Sequence, residues 1–167
     1  MLEEMVKLTA NFALHEFLRS HSARAAGISD PVPTREQRHN LGRLSYLLQW
    51  GRDIIGKPIT ITSGLRSPQI NAHIMGAKGS QHLKGLAADF IIKGHHTDRS
   101  LLFGLFCKYV QYKLNEVSQL IFYVEENRAD SWIHIAVFPD GLSHRPFPLV
   151  GLKIDGNFTS WPIVKEA

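Results

Sequence analysis

Cysteine is nearly absent from this chain. Cys107 is the single cysteine, so no disulfide can form within the chain. Small secreted domains that rely on several cysteine pairs are therefore excluded. Packing, with or without a metal ion, must hold the fold together. Cys107 itself lies among apolar residues at helical spacing, and we expect it to be buried.

Long hydrophobic runs are also missing. No window approaches the roughly 18 apolar residues of a membrane-spanning helix, so we predict no membrane insertion. The N-terminal region lacks the basic start, apolar stretch and small-residue cleavage site of a secretory signal. We therefore expect synthesis in the cytoplasm.

The charge of the chain has no strong bias along the sequence. Its formal net charge is +4, which favours anionic surfaces, including nucleic acid and the bacterial cell wall. The basic residues are scattered, however, and neither an arginine-rich run nor an RNA-binding signature accompanies them. We therefore predict no nucleic-acid partner.

Length and helical signals describe one globular domain. The chain has 167 residues, of which 44% are hydrophobic, enough for one substantial core spanning residues 1–167. Thr34 and Gln37 form a capping-box pattern that predicts the start of a long helix, and Gly56 predicts its end. A second long helix is predicted over residues 99–112 from its apolar stripe.

Strand signals are interspersed with these helices. Alternating or β-rich runs predict strands at residues 59–62, 87–92, 119–124 and 132–138. The last two runs are separated by a short polar segment, which predicts a hairpin. The pattern indicates an α+β domain, with a small, mainly antiparallel sheet flanked by helices. We expect the C-terminal segment, residues 139–167, to be irregular.

The most informative segment is Ser-Gln-His-Leu-Lys-Gly-Leu-Ala-Ala-Asp at residues 80–89. It places His82 and Asp89 seven residues apart around a turn at Gly85, so both side chains can converge on one metal ion. Catalytic zinc sites use three protein ligands and leave a fourth position for water. His134, on the last predicted strand, is the best third ligand. A set of two histidines and one aspartate suits several divalent metals.

These residues resemble the zinc D-Ala-D-Ala carboxypeptidase and endolysin family of metallopeptidases, in its phage-associated branch. The resemblance covers about residues 12–138. It includes the pattern Ser-x-His-x-x-Gly-x-Ala-x-Asp at 80–89, Gln-Leu-Ile at 119–121 and Trp-Ile-His at 132–134. It implies the fold that these peptidases share with the hedgehog signalling domain, one zinc ion, and a peptidoglycan peptide as the substrate.

The resemblance also implies roles for individual residues. His82, Asp89 and His134 would bind zinc, and Arg66 would stabilise the anionic tetrahedral intermediate, as a guanidinium near a reacting carbonyl can do. Ser80, two residues before His82, would position a metal ligand from outside the metal's own coordination sphere.

The positions where the family carries its general base hold other residues in this chain. Active members often carry a carboxylate three residues before the third ligand, where this chain has Ser131. In the phage-associated branch the acid often follows Gln-Leu-Ile instead, where this chain has Phe122 and Tyr123. Asp130 is the candidate base, through a shifted hairpin, and Tyr123 is a candidate hydrogen-bond donor to the substrate. A missing base costs on the order of 10²–10⁴ in rate.

Three hypotheses follow from the sequence. The first is a zinc metallopeptidase, either a carboxypeptidase or an endopeptidase, that cuts peptidoglycan at bonds involving D-amino acids. The second is a noncatalytic, zinc-containing module that binds peptidoglycan or forms part of a phage. The third is a zinc-stabilised interaction domain. Release of a phage or prophage lysis protein through a membrane pore would bring a cytoplasmic product to the wall.

Overall fold

The computed structural model describes residues 6–95, 97–126, 130–142 and 147–161. In this part of the chain, helices pack against a six-stranded mixed sheet, which is the predicted α+β architecture. The helices are α1 (Leu14–Leu18), α2 (His21–Ala25), α3 (Arg35–Ile55), α4 (Pro68–His73) and α5 (Arg99–Tyr112). A 3-10 helix, Gln81–Lys84, lies between α4 and the second strand.

The strands are β1 (Ile59–Ser63), β2 (Ala87–Ile92), β3 (Val117–Glu125), β4 (Asp130–Val137), β5 (Leu149–Ile154) and β6 (Asn157–Ser160). They are arranged in the order β1-β2-β4-β3-β5-β6. Every neighbouring pair is antiparallel except β3 and β5, which are parallel. The sheet is therefore mainly antiparallel, as predicted, and β3 and β4 form the predicted pair.

Helix α3 begins and ends where its capping residues predict. The Thr34 hydroxyl accepts the backbone N–H of Gln37 at 3.2 Å, and the Gln37 side chain accepts the backbone N–H of Thr34 at 2.8 Å. Gly56 ends the helix in the left-handed conformation, with φ of 61°. Leu41, Leu44 and neighbouring residues on the same side are fully buried against the sheet. This packing holds α3 across one face of the sheet.

Strand alternation leaves the other face of the sheet free to carry polar groups. Leu120 and Phe122 of β3, with Ile133 and Ile135 of β4, belong to the core beneath α3 and α5. Successive side chains on a strand point to opposite faces. The residues between these four therefore lie on the face away from the core.

The prediction of an irregular C-terminal segment is wrong. β5 pairs with β3, and β6 pairs with β5, so this segment completes the sheet. Asp155 and Gly156 both have positive φ and join the two strands, and an Asp-Gly pair is a strong hairpin signal. Strand β5 depends on long-range parallel pairing, which local sequence does not specify. Residues 143–146 and 162–167 of the segment lie outside the described residues.

The burial of Cys107 and the hydrophobicity of the helices were also predicted from the sequence. Cys107 on α5 is half-buried rather than fully buried, at the margin of the core. Among the described residues, none of the helices is both long enough and apolar enough to cross a membrane.

Candidate metal centre

Two of the predicted metal ligands lie side by side on the sheet. Asp89 of β2 is directly opposite His134 of β4, which is also opposite Ile121 of β3. The adjacent residues Phe90 and Ile135 are buried in the core. Because side chains alternate along each strand, Asp89 and His134 both point to the face away from α3 and α5.

His82 approaches this face from the 3-10 helix. That helix ends at Gly85, whose φ of 68° is in the left-handed region that favours glycine. A Cβ at Gly85 would also lie only 3.0 Å from the carbonyl oxygen of Gln37 on α3. The turn predicted at Gly85 is therefore present, although the residues before it form a 3-10 helix rather than a loop.

The three predicted ligands converge. One donor atom from each of His82, Asp89 and His134 lies within 4.8 Å of the others. Nε2 of His82 is 3.4 Å from Oδ2 of Asp89, and Nδ1 of His134 is 2.8 Å from Oδ1 of Asp89. Ligand atoms that are each about 2 Å from one zinc ion lie roughly 3–4 Å apart. The geometry therefore suits one bound ion.

A backbone carbonyl orients the His82 ring. Nδ1 of His82 lies 2.7 Å from the carbonyl oxygen of Gly64. Since a carbonyl only accepts, Nδ1 carries a proton, and Nε2, which faces Asp89, is the nitrogen available to a metal. Burial lowers the pKa of His82, an effect that Asp89 opposes. Burial thus favours the neutral imidazole, the form that binds a metal.

His134 is arranged to bind a cation through Nδ1. Its Nδ1 is 2.8 Å from Oδ1 of Asp89, and its Nε2 is 3.0 Å from Oε1 of Gln119. A neutral imidazole has one N–H and cannot donate to both oxygens. A cation shared by Nδ1 and the Asp89 carboxylate would leave the N–H on Nε2, where it can donate to Gln119.

Arg66 lies beside the three predicted ligands. Its Nε donates to Oγ of Ser63 at 2.9 Å, and its Nη2 donates to Oδ2 of Asp89 at 3.0 Å. Burial lowers the pKa of Arg66 and the charge of Asp89 opposes that effect. A guanidinium still remains charged at neutral pH. Arg66 thus brings a fixed positive charge to the site.

The Asp89 carboxylate contacts all three basic side chains of the site, Arg66, His82 and His134. Burial alone would raise its pKa, but the neighbouring His82 and His134 outweigh burial and hold the pKa of Asp89 far below its ordinary value. Asp89 is therefore ionised at neutral pH, as a metal ligand must be.

These side chains open into a cleft of about 380 Å³. Its described lining includes both charged and aromatic groups: Arg66, Ala77, Gly79, Ser80, Gln81, His82, Asp89, Gln119, Ile121, Tyr123, Trp132, His134 and Lys153. Asp89 is the only carboxylate among these lining residues. A metal bound by Asp89 would thus face a pocket large enough for part of a peptide.

A sequence model of the family described as Peptidase M15 matches residues 10–136. The chain belongs to the peptidase M15 family. The match contains the three metal-binding candidates and Arg66, and it ends before β5 and β6. Peptidases of the M15 family are zinc-dependent. No curated protein matches the chain.

In this member of the M15 family the donor set fits zinc. Two imidazole nitrogens and one carboxylate oxygen are ligands that zinc accepts, and three protein ligands leave a coordination position for water or substrate. The hydrogen bonds from His82 to Gly64 and from His134 to Gln119 supply the outer support that metal-binding histidines usually have. The predicted cofactor, one zinc ion, is thus confirmed by the family and by the site.

Ser80 lies in the lining of the cleft, next to the turn that carries His82. Its carbonyl accepts the backbone N–H of Leu83 at 3.2 Å, so Ser80 helps to start the 3-10 helix. Within the described residues, its hydroxyl makes no cap hydrogen bond to that helix. The Gly64 carbonyl supports the His82 ring, and a role for the Ser80 hydroxyl stays a prediction.

Asp130 is not brought to the metal ligands. It is the first residue of β4, exposed and opposite Glu125. His134 follows four residues later, which is roughly 13 Å along a strand. Asp130 is also outside the described lining of the cleft. Its position gives no support to the predicted role as general base.

Tyr123, in contrast, lies in the cleft. Its ring stacks on Trp132 across the hairpin, with centroids 4.7 Å apart and planes 11° apart. Burial and, to a smaller extent, the negative charge of Asp89 raise the pKa of Tyr123 above its ordinary value, while Arg66 opposes this shift. The phenol is therefore protonated at neutral pH and can donate a hydrogen bond, but it cannot serve as a base there.

Sequence reasoning missed two supporting groups, Gln119 and the Gly64 carbonyl. Gln119 could have been found, because it lies two residues before Ile121 and alternation places both on the face that carries His134. The Gly64 carbonyl could not have been found, since any residue has a carbonyl and only the tertiary fold brings this one to His82.

We expect Gln119→Ala to weaken zinc binding about 10–100-fold, the usual cost of losing an outer hydrogen bond to a metal ligand. Without the acceptor, His134 no longer has a partner that holds its proton on Nε2. Competition with a chromophoric chelator would measure the affinity. Gln119→Glu is the matched control because it keeps an oxygen acceptor. Equal zinc affinity for Gln119→Ala and the parent protein would contradict this role.

Proposed function

We propose that this M15 peptidase hydrolyses peptides of bacterial peptidoglycan, at bonds that involve D-amino acids. The observation that carries the proposal is the convergence of His82, Asp89 and His134 beside Arg66 in a cleft of peptide size. Association with a phage or prophage, which would bring the protein to the wall, is part of the same proposal and follows from the resemblance of residues 12–138.

The residues of the cleft provide complementary groups for peptide hydrolysis. Bound zinc would polarise a carbonyl and lower the pKa of water, which allows attack at neutral pH. Arg66 offers fixed N–H donors where negative charge develops on the substrate carbonyl oxygen. The hydrogen bond from Arg66 to Ser63 holds the guanidinium in place before substrate binds, so little reorganisation is needed.

Tyr123 is assigned the role of a hydrogen-bond donor to the substrate. It occupies the position after Gln-Leu-Ile where related peptidases of the phage-associated branch often carry an acid. Its protonated phenol lies in the cleft lining with Arg66, and the stack on Trp132 fixes its ring. Asp130 stays a prediction for the base, and its distance along β4 weighs against it.

We expect Tyr123→Phe to lower kcat/KM about tenfold, the loss of one net hydrogen bond of about 1.4 kcal/mol. Tyr123→Glu places a carboxylate at the same position and should raise kcat by up to roughly 10²-fold if the base is what the site lacks. Steady-state kinetics of both variants would measure these effects. Tyr46→Phe, at an exposed tyrosine on α3, is the matched control. Unchanged kinetics in both Tyr123 variants would remove Tyr123 from the mechanism.

Purified peptidoglycan provides the direct test of the function. The zinc-loaded protein should release new amino termini or free D-amino acids, and a chelator should stop the release. His82→Ala should release nothing.

A noncatalytic peptidoglycan-binding module is the second candidate. It is favoured by one observation, that Asp89 is the only carboxylate in the described lining of the cleft. Such a module would sediment with the wall and release no product at any zinc concentration. That outcome would reject hydrolysis in favour of binding.

A further inference from the structure

Strand β5 adds a cation to the cleft. Lys153 is directly opposite Tyr123 in the parallel pairing of β5 with β3, and Tyr123 is opposite Trp132. The three side chains therefore form one row across the sheet, and all three line the cleft. Lys153 lies beyond the residues that the M15 family model matches, 10–136. The cation is thus supplied by a part of this chain outside the shared peptidase region.

The Lys153 ammonium lies over an aromatic ring and, within the part of the chain that the structure describes, has no carboxylate partner. Nζ lies 5.4 Å from the centroid of the Tyr123 ring. That ring also stacks on Trp132, which holds it in place. Among the described residues, no carboxylate lies within ion-pair distance of Lys153. Asp89, the carboxylate in the lining, is already engaged by Arg66, His82 and His134. As far as the described residues go, the ammonium donors are thus available to a ligand in the cleft.

Lys153 lies well away from the metal ligands on the sheet. His134 and Lys153 are two strands apart across the sheet and two residues apart along it, which is roughly 12 Å between their backbones. An extended peptide covers about 3.3–3.6 Å per residue. Lys153 can therefore contact a group up to about three residues from a bond held at the metal ligands, whereas Arg66 contacts the ligand Asp89 itself.

We propose that Lys153, held over the Tyr123 ring, is a specificity residue that binds a carboxylate of the peptide substrate at the end of the cleft remote from the metal ligands. This inference rests on the proposed peptidase function. The charges of the lining agree with it, because Arg66 and Lys153 are basic and Asp89 alone is acidic, even before a divalent cation adds to the positive potential. The substrate class is a peptide with a free carboxylate, at its terminus or on a side chain.

The test uses a peptidoglycan stem pentapeptide and analogues in which one carboxylate at a time is replaced by a carboxamide. With the zinc-loaded protein, we expect one of these replacements to raise KM about tenfold while kcat stays the same. Lys153→Met keeps the aliphatic stem and removes the charge, so it should raise KM for the parent peptide about tenfold and abolish the difference between the two peptides. Lys153→Arg should restore most of the preference.

Lys108→Met is the matched control, because Lys108 also lies over a tyrosine ring, at 5.5 Å from Tyr112, but outside the described lining of the cleft. It should leave both peptides unaffected. Hydrolysis with no preference that depends on Lys153 would overturn the subsite and leave the peptidase proposal intact.

If no analogue is hydrolysed, calorimetric binding of the same peptides separates the two proposals. Binding that weakens about tenfold both in the carboxamide and in Lys153→Met would support the subsite while rejecting hydrolysis. Absence of hydrolysis together with absence of Lys153-dependent binding would overturn both.

Discussion

Asp89→Asn is expected to remove zinc binding and peptide hydrolysis together. Asp89 supplies the negative charge of the ligand set and contacts His82, His134 and Arg66. A carboxamide keeps the shape of the side chain but loses that charge. Since bound zinc supplies several kcal/mol of transition-state stabilisation, we expect kcat/KM to fall by at least about 10³-fold.

The same substitution should also destabilise the metal-free protein. The Arg66 side chain is only 13% exposed, and Asp89 is the carboxylate to which it donates. Loss of the charged acceptor leaves a mostly buried cation without compensation, at a cost of about 1–3 kcal/mol in the free energy of unfolding. Denaturant unfolding in the presence of a chelator would measure this cost separately from metal binding.

Asp130→Asn is the matched control for Asp89→Asn. Both residues are aspartates on strands of the same sheet, but Asp130 is exposed and outside the described lining of the cleft. We expect it to change zinc affinity and stability little. A loss of hydrolysis in Asp130→Asn with normal zinc binding would support Asp130 as the base. Full zinc affinity in Asp89→Asn would contradict the assigned metal site.

Gly64→Ala is expected to damage both the fold and the metal site. A Cβ at Gly64 would lie 2.3 Å from the carbonyl oxygen and 2.7 Å from the Cα of Phe17 on α1. The Phe17 carbonyl already accepts the backbone N–H of Leu65 at 2.7 Å. The backbone of α1 therefore cannot move away from the new Cβ without losing this hydrogen bond. We expect the free energy of unfolding to fall by about 1–3 kcal/mol.

Gly64→Ala should also lower the affinity for zinc, because the clash with Phe17 displaces the backbone at residue 64. The Gly64 carbonyl accepts Nδ1–H of His82, and a shift of this carbonyl releases the ring from its orientation. We expect zinc affinity to fall about 10–100-fold, as for other losses of outer support. Denaturant unfolding of the metal-free protein and chelator competition would measure the two effects.

Gly42→Ala is the control for Gly64→Ala. A Cβ at Gly42, on α3, would meet nothing within 4 Å, so this substitution should be neutral or stabilising by up to about 1 kcal/mol. If Gly64→Ala were as stable as the parent protein and bound zinc equally well, close packing of Gly64 against α1 would not support the metal site.

Local chemistry made much of the fold predictable from the sequence. The capping box at Thr34 and the glycine at Gly56 act within a few residues of the chain, and α3 begins and ends beside them. Alternation along β3 and β4 is also local, and it predicted a hairpin that the structure confirms. In each case the signal and the element lie in the same short segment.

The metal ligands were predictable for a different reason. His82 and Asp89 lie on either side of one tight turn, so their spacing restricts where both side chains can point. The resemblance supplied His134, and the direct pairing of β2 with β4 brings it opposite Asp89. The general base was not predictable in this way, because Asp130 is close to His134 in sequence but roughly 13 Å away along an extended strand.

The sequence by itself determined the α+β class and the family, and it predicted the three candidate ligands, because His82 and Asp89 share one short motif and the resemblance supplied His134. Only the tertiary structure decided that residues 149–160 complete the sheet, that the Gly64 carbonyl orients His82, and that Lys153 lines the cleft. Each of these depends on contact between segments far apart in the chain. Parallel pairing and backbone carbonyls carry no residue-specific signal, so local patterns cannot reveal them.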